Sequence, residues 1–280
     1  MKLLDKDRYG KTSAMLDEVP FNHMFACDVV AQKINGLIYA DNCDSPTVCY
    51  IVHPYGMSLL IGNCKNDEFN EHLTGYLLNK GQNRIKTEWM QVYPEAWTAQ
   101  LKRLLGDQLL TKQEKEEGDQ ISDGRIRVEE QTRVNFKFNP AHYVQFKAHH
   151  RNKHVEIYRT GEEEFQHMPG TVIPKFFWND ASQFLEQGVG FSVRHNNKLA
   201  STVFSAYIDD RYLEFGIESV EQFRGLGYAK ESCIALIDYC LEHGYEPVWA
   251  CRLENTGSYL LAQQLGFEPV RYLPFYKATP

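Results

Sequence analysis

The sequence predicts an α+β protein of two domains, 1–120 and 125–280, and three features carry that expectation. Residues 111–124 (TKQEKEEGDQISDG) are highly charged, hold two glycines and lack apolar periodicity, which marks a linker or exposed loop. On both sides of it, short β-rich runs bounded by Asn, Asp, Pro or Gly read as strands. Among those runs, apolar residues recur at steps of three and four, the period of amphipathic helices.

In chain order, 36–40 (GLIYA), 47–52 (TVCYIV) and 57–62 (MSLLIG) are expected strands of a small N-terminal α+β domain. His53-Pro54-Tyr55 reads as a turn between two of them. Trp97, Leu101, Leu104, Leu105 and Leu109 then trace one face of a helix that closes the first half. Past the linker, 125–138 and 154–159 read as strands, and 174–187, with Phe176, Phe177, Phe184 and Leu185, as a helix stopped by Gly188. Strands at 190–194 and 199–207 follow, joined through Asn196-Asn197, residues that tolerate the left-handed backbone of a hairpin. A third strand spans 212–219 and another 247–251.

At 280 residues, with 43% hydrophobic and 24% charged side chains, the chain is long and apolar enough to bury a core. Thirty basic against thirty-seven acidic residues give a net charge of -7, which argues against nucleic acid or an anionic membrane as the main partner. With no apolar run near 20 residues, a soluble cytoplasmic protein is expected. Its 7 cysteines contain no C-x-x-C pair and no zinc-like His spacing, so reduced thiols and no metal are expected. The basic run 147–154 (KAHHRNKH) reads as a solvated loop.

Chemistry concentrates at Gln222-Phe223-Arg224-Gly225-Leu226-Gly227-Tyr228-Ala229, between the end of a strand and the start of a helix. Glycines let the backbone approach an anion, and the N–H groups and dipole of a helix start favour phosphate. The helix is expected to turn Ala229, Cys233, Leu236, Ile237, Cys240 and Leu241 inward, to leave Lys230, Glu231 and Glu242 elsewhere, and to stop at Gly244. Two rival phosphate motifs fail: Lys230 stands where a dinucleotide fingerprint needs Gly or Ala, and no Gly-Lys-Ser/Thr follows. A turn that serves only helix and strand packing stays open beside the anion reading.

This Q-x-x-G-x-G segment resembles the acetyl-CoA pyrophosphate loop of the GNAT N-acetyltransferases. Asn255-Thr256-Gly257-Ser258, followed by Leu265-Gly266-Phe267, is similar to the closing helix of that superfamily. Phe177-Trp178, Ile217-Glu218-Ser219 and Trp249-Ala250-Cys251 also resemble the GNAT subfamily related to the zwittermicin A resistance protein. The resemblance implies a C-terminal GNAT fold, a mixed and mostly antiparallel sheet flanked by helices, beside an N-terminal α/β domain. It implies acetyl-CoA as cosubstrate and a small-molecule primary amine, an antibiotic or other metabolite, as acceptor.

By the same resemblance, the strand ending at Ile217 and Ser219 splays from the strand at 248–251, and the pantetheine arm pairs in that gap. Main-chain N–H groups from Arg224 to Ala229 (Arg224, Gly225, Leu226, Gly227, Tyr228, Ala229), with Gln222 opening the motif, would hold the pyrophosphate. Asn255 would bond the pantetheine or cap the last helix. From strand alternation, Glu214 and Glu218 share one side of their strand, flank Gly216 and form a polar cleft suited to proton abstraction, or else an exposed face paired with Lys or Arg. The superfamily's tyrosine acid falls here on Ala262, which leaves Tyr259 and Ser258 as substitutes, or a water. Ala262 also keeps a non-catalytic acyl-CoA-binding protein open as the alternative. The N-terminal domain is expected to wall the acceptor site or to form a homodimer contact.

Overall fold

The computed structural model describes residues 1–82, 84–116, 127–151 and 155–280. Contacts group them into two compact units: Met1–Arg133 with Arg252–Glu254 and Tyr272–Pro280, and Val134–Cys251 with Asn255–Arg271. The expected linker is helical at Lys112–Glu116 and lies outside the described residues from 117 to 124.

In the first unit, β1 (Lys2–Leu3), α1 (Ser13–Asp17), α2 (Met24–Val30), β2 (Leu37–Ala40), β3 (Val48–Val52) and β4 (Met57–Gly62) lead to α3 (Asp67–Leu77), β5 (Glu88–Tyr93) and α4 (Ala96–Leu105). The strands lie in the order β1-β2-β3-β4-β5, antiparallel except for the parallel β4–β5 pair that α3 connects. Asn66 starts α3 by accepting the Phe69 N–H at 3.0 Å, and α3 and α4 bury Phe69, Leu73, Leu77, Trp97, Leu101 and Leu105 against Tyr50, Leu60 and Met90. Leu109, expected at the end of α4, is instead in β6 (Leu109–Leu110), because Gly106 at φ 50 ends the helix. The chain continues through α5 (Lys112–Glu116) and β7 (Val128–Phe138). His53 does sit in a turn, donating its N–H to Met57 O at 2.9 Å, and burial pushes its imidazole down to about 3, so it is neutral.

The second unit repeats this plan. Its elements are α6 (Pro140–His149), β8 (Glu156–Arg159), α7 (Glu162–His167), α8 (Ala181–Gln187), β9 (Gly190–His195), β10 (Lys198–Ile208), β11 (Tyr212–Ser219), α9 (Tyr228–His243), β12 (Glu246–Val248) and α10 (Thr256–Gln264), with the starts of β13 (Ala250–Arg252) and β14 (Phe267–Ala278), whose ends belong to the first unit. Strand order is β8-β9-β10-β11-β12, again antiparallel until a parallel last pair, here connected by α9. The units are not consecutive in sequence because the end of β14 pairs with β5, Tyr276 opposite Met90 and Ala278 opposite Glu88. Arg84 secures that end by donating to Ala278 O at 2.7 Å and Thr279 O at 2.9 Å.

Four local expectations are corrected. The helix expected at 174–187 is a 3-10 turn (Pro174–Phe176) and then α8, because the Asp180 carboxylate accepts the Gln183 N–H at 2.8 Å and starts a new helix. The strand expected at 247–251 is two strands interrupted at Trp249. Glu231 is 2% exposed and meets His150 Nε2 at 3.1 Å. The basic run is in part the end of α6, with Lys147 on Asp238 at 2.6 Å, and its residues 152–154 lie outside the described residues.

Asp41 organises the turn from β2 to β3. Its carboxylate accepts the Thr47 N–H at 2.9 Å, the Thr47 hydroxyl at 2.7 Å and an Asn66 Nδ2 hydrogen at 3.2 Å. Partial burial pushes this carboxyl up, but the bonds from Thr47, Val48 and Asn42 together hold it below the usual range. Asp41→Asn is therefore expected to lose about 1 kcal/mol at pH 7, a value already reduced for the site's partial exposure. A depressed folded-state pKa contributes stability above the unfolded value of about 3.9 and loses it as pH falls through the folded one. Urea titrations should thus show the wild-type advantage shrinking in acid; an advantage independent of pH would contradict the assignment.

Candidate active site

The site is assembled from β11, the loop after it, α9, β12 and the start of β13 through Cys251, all in the second unit. β11 pairs with β12 only at Tyr212, Leu213 and Glu214, opposite Glu246, Pro247 and Val248. The equivalent pair in the first unit, β4–β5, is closed from Met57 through Ile61. Beyond Glu214, β11 therefore keeps β10 on one edge and, among the described residues, no strand on the other.

Trp249 marks the parting point. It is 2% exposed, packs on Phe215 and Phe267 with ring centroids 5.9 and 5.2 Å away, and donates its Nε1 hydrogen to Ser258 Oγ at 3.2 Å. A buried indole with its polar atom satisfied is a fixed wedge between strand ends.

Backbone alternation decides which groups face the open edge. The Val220 N–H donates to Ala200 O at 3.0 Å, so Val220 is turned toward β10. In an antiparallel pair this direction alternates, which turns the N–H and C=O of Ser219 and Ile217 outward. These are the two β11 residues expected to meet the pantetheine.

The loop then closes through a 3-10 turn, Glu221–Phe223, which holds the exposed Gln222. Gly225 and Gly227 adopt φ 75 and φ 84, left-handed values that favour glycine. Gly227 caps α9, whose first turn lacks carbonyl partners four residues back. Two of the expected N–H donors are turned inward: Arg224 donates to Glu221 O at 3.1 Å and Leu226 to Phe223 O at 3.4 Å. The donor set is accordingly narrowed to Gly225, Gly227 and the helix start at Tyr228 and Ala229.

An aromatic contact that sequence reasoning missed supports this loop. The Tyr228 hydroxyl lies 2.9 Å from His195 Nδ1 at the β9–β10 hairpin, and Phe223 meets both rings, with centroids 5.9 and 6.1 Å away. Asn196 and Asn197 form the hairpin at φ 50 and φ 59.

The other expected residues are placed as follows. Glu214 and Glu218 are 3% and 8% exposed and lie on the same side of β11. That side carries Gly216 and its partner Phe204, which meets Phe177 and Phe184 of the α8 region. Glu218 accepts N–H groups from Thr171 at 2.8 Å, Val172 at 3.1 Å and Ser219 at 3.2 Å, and Arg224 Nη2 stands 3.4 Å away. Asn255 caps α10 by accepting the Ser258 N–H at 3.2 Å, and its side chain is exposed. Tyr259 packs on Phe136, centroids 5.5 Å apart, and Ala262 is fully buried. Among the described residues, no group of three His, Cys, Asp or Glu side chains could hold a metal, and no helix is long and apolar enough to cross a membrane.

A helix start preceded by left-handed glycines and set next to an open strand edge has the kinds of group that phosphates and amides pair with. Comparison with known proteins identifies the family. The family model described as GNAT acetyltransferase matches residues 18–276. An uncharacterised N-acetyltransferase of Bacillus subtilis (strain 168), YdfB, is 27% identical over 277 residues, 98% of this chain and 97% of that protein. A GCN5-related N-acetyltransferase-like protein from Streptococcus suis 89/1591 superposes with a TM-score of 0.71 at 19% identity, covering 98% of this chain and 99% of the other. A tandem GNAT protein from the clavulanic acid biosynthesis pathway gives 0.59 at 12% identity over 100% and 99%. These two likenesses speak for the fold.

Proposed function

The chain belongs to the GNAT acetyltransferase family, and from that premise we propose that it transfers the acetyl group of acetyl-CoA to a primary amine of a small molecule. One observation carries the reading: the outward main-chain groups of Ile217 and Ser219 adjoin the left-handed Gly225 and Gly227 and the start of α9. A pantetheine amide fits the first and a pyrophosphate the second.

In the reaction proposed, the amine nitrogen attacks the thioester carbonyl, the C–S bond breaks, the nitrogen loses a proton and the sulfur gains one. Glu214 and Glu218 are the carboxylates on the α8 side of β11 and are the proposed proton acceptors. Both oxygens of Glu218 already accept N–H groups, and those bonds would weaken as that carboxylate took up the proton. Ser258, whose oxygen accepts the Trp249 Nε1 hydrogen, and Tyr259 are the proposed donors to the departing sulfur. The resemblance to the zwittermicin A resistance subfamily supports a small amine acceptor, an analogy that the fold alone does not decide.

Thermal unfolding with acetyl-CoA, CoA and ATP tests the reading. A ligand at about 100 times its dissociation constant adds about 2.7 kcal/mol to the folded state. Acetyl-CoA and CoA should each raise Tm and ATP should not, after which amines are screened for thiol release. Folded protein that responds to neither would overturn the reading.

A further inference from the structure

The Glu218 carboxylate joins two segments that no sequence pattern links. On one side, Oε2 accepts the Thr171 and Val172 N–H groups at 2.8 and 3.1 Å. On the other, Oε1 accepts the Ser219 N–H at 3.2 Å and lies 3.4 Å from Arg224 Nη2. The same guanidinium donates from Nε to Ser219 O at 3.3 Å. Ser219 is one of the two residues whose main chain faces the open edge, so its N–H and C=O are at present held by the protein's own side chains.

We infer that Glu218 is a positioning residue that couples the open edge of β11 to the 170–172 loop, an inference that rests on the acetyl-CoA reading of that edge. The bonds on its two sides differ in quality. Those to the loop fall within the ordinary 2.7–3.2 Å range for N–H···O, whereas those involving Arg224 lie beyond it. The Arg224 side chain is also 62% exposed, which makes its ion pair weak. Gly170 explains the close approach of the loop: at φ +126, a Cβ there would lie 2.5 Å from Glu218 Cγ. The other charged group on this face of β11 is Glu214, Thr202 stands opposite Glu218 on β10, and Arg224 is the facing cation.

A ligand amide that pairs with Ser219 takes over its N–H and C=O, and phosphates at Gly225 and Gly227 attract the Arg224 guanidinium. Both exchanges act on Oε1. Relieved of these donors, the carboxylate concentrates its charge on Thr171 and Val172, and the loop is held more firmly. The cofactor edge and the α8 side of the sheet thereby become one coupled structure.

Amide hydrogen exchange at Thr171 and Val172, measured on the full chain with and without saturating CoA, tests this. CoA is expected to slow exchange there by about tenfold, the scale of one charge-assisted hydrogen bond. Glu218→Gln should still bind CoA and lose that response. Arg224→Gln leaves the bonds to Oε2 in place, should slow the same amides without ligand, and carries the test if the first variant does not fold. Calorimetric binding of CoA with no change at Thr171 and Val172 would overturn the coupling and leave the acetyl-CoA reading standing. Absence of CoA binding in folded wild-type protein would overturn that reading and the coupling with it.

Discussion

Changing Gly225 and Gly227 together to alanine is expected to lower acetyl-CoA affinity by more than about 100-fold while the protein stays folded. A left-handed backbone costs a non-glycine residue about 1–2 kcal/mol, so two such positions penalise the observed loop by about 2–4 kcal/mol. At Gly225 nothing lies within 4 Å of an added Cβ, so the penalty there is purely one of backbone conformation. Residues 224–226 are exposed, and the loop can escape strain by rotating without opening the core. Rotation redirects the N–H groups of Gly225 and Gly227, and the anion site is lost with them. Titration of acetyl-CoA into the double variant, beside a Tm within a few degrees of wild type, is the expected pair of results. Undiminished affinity would show that this loop does not hold the phosphates.

Trp249→Ala is expected to have the largest effect on stability, about 3–5 kcal/mol, the usual loss for truncating a fully buried large aromatic. Its indole fills the space between Phe215 and Phe267 just where β12 leaves β11. Trp249→Phe should keep most of the packing and remove only the hydrogen bond to Ser258 Oγ, at a cost of about 1 kcal/mol. The two variants separate roles: chemical denaturation registers the alanine change, and turnover at saturating acetyl-CoA registers the phenylalanine change if Ser258 is the proton donor. A phenylalanine variant with full turnover would remove Ser258 from that role.

Local chemistry made part of this legible in the sequence. The alternation of Leu213, Phe215 and Ile217 fixed β11 to the residue, 212–219. Two glycines bracketed α9, one as its N-cap and one, Gly244, as its C-cap at φ 79. What stayed hidden depends on distant partners. Val248-Trp249-Ala250 reads as one strand, and only the pairing of its two halves divides it. Glu231 reads as lying off the apolar face of the helix, and its buried partner is His150, 81 positions away. The new start at Asp180 did have a signal, an acidic cap three residues before Gln183, masked by the aromatic run Phe176-Phe177-Trp178 around it. The repeat of one strand order in both units has no counterpart in the letters, since topology is conserved by pairing and not by residue identity.

The two copies of that strand order differ at one edge. Both strand runs have a helix between their fourth and fifth strands, yet Met57–Ile61 is paired along Trp89–Tyr93 where Phe215–Ser219 faces no parallel neighbour. Grafting a glycine loop before α3 would install an anion cradle with no vacant edge beside it. On the proposed reading, two copies of this architecture among the described residues thus leave one strand edge for an amide-bearing thioester, because only β11 parts from its parallel neighbour.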